Sequence, residues 1–95
     1  MNKVELNEAL NGNSKWAHFA EKLEKAMTEE FNLDDVTVVL RELTAEEKLN
    51  KEHDVLLYSH VRQQFEFAMS GEDRFPAPWK IADRIEHFLH PDIEE

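Results

Sequence analysis

Thr44 stands three residues ahead of Glu47, the spacing at which a threonine hydroxyl and a glutamate carboxylate each satisfy a free backbone N–H at a helix start. Beyond this cap, Leu49, Leu56, Leu57, Tyr58, Val61, Phe65, Ala68 and Met69 supply apolar residues at helical spacing, and Ser70-Gly71 offers a stop. A helix over 45–69 would form a rod about 37 Å long, enough to cross a small domain. Every other element would then have to pack against it.

The flanking segments carry helical periods of their own. Trp16, Phe19, Ala20, Leu23, Ala26, Met27 and Phe31 recur at i, i+3, i+4 and i+7 behind Ser14, which predicts an amphipathic helix over 15–31. Its other face, with Lys15, Glu21, Lys22, Glu24, Lys25 and Glu29, reads as solvated surface. Pro78 opens and Pro91 closes a stripe of Trp79, Ile81, Ala82, Ile85, Phe88 and Leu89, which predicts a last helix over 78–90. Leu6, Ala9 and Leu10 share a helical face before Asn11-Gly12, which predicts a short helix over 3–10.

Residues 33–43 fit two periods. Val36, Val38 and Leu40 alternate as in a strand, and the run from Val36 to Val39 is rich in β-branched residues. Leu33, Val36, Leu40 and Leu43 instead fit a helix capped by Asp34. A lone strand would leave its backbone groups unmatched, and no second strand is in view, so helix is preferred. The expected fold is all-α, a compact bundle of three to five helices around a long central helix, in one domain. The alternative is α+β with a short strand near 36–40.

Composition narrows function by exclusion. The net charge of -10 argues against direct nucleic-acid binding, because neutralising phosphates by Lys and Arg supplies most of such affinity. The chain has no cysteine, hence no disulfide or thiolate zinc site, and this suits a reducing compartment such as the cytoplasm. The N-terminus lacks the apolar core of a signal peptide, and no apolar run approaches a membrane span. With only Gly12 and Gly71, there is no phosphate loop or dinucleotide fingerprint.

Histidine and carboxylate are the remaining metal-binding groups. Asp83, His87 and His90 are spaced to converge on the last helix, yet they match no strong zinc motif, and protonated histidine near a helix end also complements the helix dipole. His53 and His60 would lie two turns apart on the central rod, with Gln63, Gln64 and Glu66 following, and no nucleophile stands beside them. No catalytic residue, metal ligand or cofactor is therefore assigned. A metal-dependent His/carboxylate enzyme is the least favoured alternative.

The acidic pairs remain. Glu29 and Glu30, Asp34 and Asp35, Glu46 and Glu47, and Glu72 and Asp73 fit either helix-start electrostatics and solubility or a charged docking surface. Phe75 and Trp79, around the Pro76-Ala77-Pro78 turn, add an aromatic anchor. Together these residues suggest a non-enzymatic binding module, such as a small inhibitor of the kind mobile elements encode, that blocks a basic, nucleic-acid-binding site on a larger protein. The alternative is an adaptor or homodimerisation module acting through an apolar face.

Overall fold

The computed structural model describes residues 1–50, 54–69 and 75–91, and it overturns the all-α helical bundle in favour of an α+β architecture. Strands β1 (Lys3–Leu6), β2 (Thr37–Glu42), β3 (Val55–Ser59) and β4 (Gln64–Met69) form one sheet in the order β1-β2-β4-β3. β1 and β4 both run parallel to β2, and β3 runs antiparallel to β4. Helices α1 (Ser14–Lys25), α2 (Ala45–Leu49) and α3 (Pro78–Leu89) complete the element order, with a 3-10 turn at Glu8–Leu10 and a π-helical turn at Ala26–Glu30 that prolongs α1.

The central rod does not form. Its start signal works as predicted: the Glu47 N–H donates to Thr44 Oγ1 at 3.2 Å and the Thr44 N–H donates to Glu47 Oε1 at 2.8 Å. The helix so begun ends at Leu49. From Val55 onward the apolar residues obey period two rather than 3.6. Phe65, Phe67 and Met69 are buried, Gln64 and Glu66 on the other face are only partly so, and the small Ala68 is buried as well. A helix would splay Phe65 and Phe67 about 200° apart, whereas the hairpin pairs Tyr58 with Phe65 and Leu56 with Phe67. Residues 51–53 and the Ser70-Gly71 stop lie outside the described residues.

The segment over 33–43 is also corrected, from helix to strand. β2 is central, and the partners missing from the local view are distant in the chain: Val38 pairs with Val4 on one side and Phe65 on the other. The short helix over 3–10 resolves into β1 and the 3-10 turn. The amphipathic helix over 15–31 holds as α1 and its π turn, with Asn13 rather than Ser14 as cap; Asn13 Oδ1 accepts from the Lys15 and Trp16 N–H groups. The last helix, α3, starts on Pro78 as expected.

Val4, Val38, Phe65 and Tyr58 form one row across the sheet, and Leu6, Leu40, Phe67 and Leu56 form the next. These rows join Trp16, Phe19 and Leu23 of α1 and Ile81 and Ile85 of α3 in a single core. On the opposite face, Glu5, Val39, Glu66 and Leu57 lie in register. Arg41 on that face reaches α2 through Glu47. Among the described residues, no helix is long and apolar enough to cross a membrane.

Candidate functional site

The residues expected to touch a partner meet different fates. Glu29 and Glu30 are exposed on the π turn and form no ion pair among the described residues. Glu46 is exposed in the first turn of α2. Asp34 and Asp35 each accept from the Met1 amino group at 2.8 Å, which pulls the Asp34 carboxyl below its ordinary pKa and raises that of the amine. Glu72 and Asp73 lie outside the described residues. Phe75 is not a free anchor, since its ring packs 5.4 Å from Trp16 and 5.3 Å from Phe19. Trp79 is half-exposed.

Glu47 is neutralised within the fold. Its two carboxylate oxygens accept from Arg41 Nη1 at 2.9 Å and Nη2 at 3.0 Å, while Arg41 Nε lies 3.1 Å from Glu66. This paired fork suits a guanidinium facing carboxylates and clamps α2 onto the sheet. First the arginine, then the Thr44 N–H, holds the Glu47 carboxyl at about 2, against an ordinary 4.5. Because the folded value is depressed, the pair stabilises the protein fully above the ordinary value, and that contribution disappears as pH falls through about 2. Urea unfolding of the wild type and of Arg41→Met should therefore differ most near neutrality and converge across this acid window. A gap constant with pH would mean that the pair is not ionically coupled.

Among the described residues, the structure does not bring together the trio of Asp83, His87 and His90. Ligand atoms of Asp83, Glu86 and His87 lie within 4.8 Å of one another on α3, and His90 stays out of the group. His87 Nδ1 sits 2.9 Å from the Asp83 main-chain carbonyl. A carbonyl can only accept, so in this contact Nδ1 is the donor. His60 is exposed, edge-on to Tyr58 at 5.0 Å. His53 lies outside the described residues, and Gln63 turns the chain at positive φ between β3 and β4, so the polar patch of the rod does not exist.

The outer side of α1, which the sequence gives as solvated surface, carries two further features. Glu21, Glu24 and Glu29 gather with Lys25 and Thr28 round a shallow depression of about 320 Å³. Beside it, a cleft of about 590 Å³ separates Lys15, His18 and Lys22 of α1 from the segment Phe75 to Pro78. A smaller hollow of about 260 Å³ continues past Lys22 and Pro78 to Lys25, Trp79, Glu29 and Glu30. The spacing i, i+3, i+7, i+10 of Lys15, His18, Lys22 and Lys25 was open to view in the sequence; the wall facing them was not. Comparison with protein-family models, curated proteins and solved structures finds no match to this chain.

Proposed function

We propose that this chain is a non-enzymatic protein-binding module that docks its acidic exterior on a basic surface of a larger protein, of the kind that handles nucleic acid. The supporting observation is the depression on α1, where Glu21, Glu24 and Glu29 converge without an ion pair among the described residues. Carboxylates held together on a rigid helix repel one another, in a chain that already carries -10. A basic partner relieves that repulsion, speeds encounter and fixes orientation. Direct contact with nucleic acid would worsen it.

The test is affinity capture from a host lysate with the wild type and with Glu21→Lys/Glu24→Lys/Glu29→Lys. All three side chains are exposed, so the triple variant should fold. The wild type should retain basic proteins that elute as salt shortens the screening length towards about 3 Å at ~1 M. The variant should bind them on the order of 100-fold more weakly, since opposed like charges cost several kcal/mol. Equal retention by the variant overturns the proposal. Retention that survives salt favours the apolar alternative instead, through the outer face of the sheet, where Leu57 is 46% exposed in the same register as Val39.

A further inference from the structure

We infer that the groove between α1 and the segment Phe75 to Trp79 is a second binding site, opposite in character to the acidic depression, and that it takes an extended peptide of alternating acidic and apolar residues. The inference does not depend on the acidic docking surface.

One wall is basic. His18, Lys22 and Lys25 form a row along α1, all exposed, in a chain with 21 acids against 11 lysines and arginines. The other wall is apolar and preformed: Pro76 and Pro78 restrict the backbone, and Phe75 is wedged against Trp16 and Phe19. A groove already in its binding shape loses little entropy when it is filled.

Length and spacing select the occupant. The two hollows meet at Lys22 and Pro78, so the groove follows α1 from residue 15 to residue 25, about 15 Å of helix. That accommodates roughly four to five residues of extended chain at ~3.3 Å each. Alternate side chains of such a chain fall on one side about 6.6 Å apart, close to the ~6 Å of helix rise between His18 and Lys22. Acidic side chains can then face α1 while the intervening apolar ones face the Phe75–Trp79 wall. Glu29 and Glu30 line the far end of the smaller hollow, which confines the acidic positions to the His18–Lys22 portion.

The probe is a fluorescein-labelled, acetylated and amidated Glu-Leu-Glu-Leu-Glu peptide, titrated with the full chain at low ionic strength and followed by anisotropy. Amide chemical shifts of the protein are recorded in parallel. Saturable binding is expected, with shifts confined to residues 15–25 and 75–79. Binding should weaken at least tenfold in Lys22→Glu and again in His18→Glu, both exposed and remote from the core. The analogue with lysine in place of glutamate should not bind. Absence of saturable binding, unchanged affinity in both variants, or shifts centred elsewhere overturns the inference. So does glutarate giving the same shifts at the same concentrations, because the groove would then be a small-anion site.

Discussion

Phe67→Ala should lower the free energy of unfolding by about 3–5 kcal/mol, whereas Val61→Ala should change it by less than about 0.5 kcal/mol. Phe67 is fully buried, paired with Leu40 and Leu56 at the centre of the sheet. Truncating it removes its transfer free energy and leaves a void lined from both layers, because the strands on either side cannot close on it. Val61 is 95% exposed in the turn between β3 and β4 and buries nothing. The comparison separates the two architectures: in a helical rod Val61 belongs to the apolar stripe and Phe67 lies off it, so the order of the two effects would reverse. Urea denaturation of both variants decides it. The expected loss is a large part of the total stability of a small domain, so Phe67→Leu is a useful milder companion should the alanine variant not fold.

The second large effect is expected at Asn2, the buried polar side chain that ties β1 to the loop entering β2. Its Nδ2 donates to Thr28 Oγ1 at 2.9 Å and to the Leu33 carbonyl at 2.8 Å, and its Oδ1 accepts from the Val36 N–H at 3.1 Å. Asn2→Ala removes all three hydrogen bonds and leaves a buried carbonyl and a buried N–H without partners. At roughly 1–3 kcal/mol for each stranded group, a loss of about 3 kcal/mol is expected. Asn2→Asp keeps the acceptor for Val36 but turns a carboxylate towards the Leu33 carbonyl, so it should not rescue stability. Thr28→Val should cost about 1 kcal/mol, since Asn2 keeps its two backbone partners. Thermal melts of the three variants rank these losses. An Asn2→Ala protein as stable as the wild type would show that the side chain does not hold this junction.

The acidic residues illustrate why a surface is harder to read from sequence than a helix. Glu46 and Glu47 are neighbours in the chain and look alike there. In the fold Glu46 is exposed, while Glu47 is occupied by an arginine that arrives from β2. Glu21, Glu24 and Glu29 were legible as neighbours on one face of the helix, but not the depression that they line together. Phe75 was legible as an aromatic beside prolines, but its burial between Trp16 and Phe19 depends on how α1 and the chain before α3 are placed.

What the sequence determined by itself is what depends on neighbours a few residues apart. The apolar stripes of α1 and α3, the proline that opens α3, the Thr44–Glu47 cap and the net charge all follow from local spacing or simple counting. Strands draw their hydrogen bonds from elsewhere in the chain, so Val36 to Leu40 cannot reveal locally that Val4 and Phe65 will flank them. The turn from His60 to Gln63 also lacks the glycine or asparagine that would have announced a hairpin. Tertiary structure alone decided the sheet and the groove along α1, because each joins residues that only long-range packing brings together.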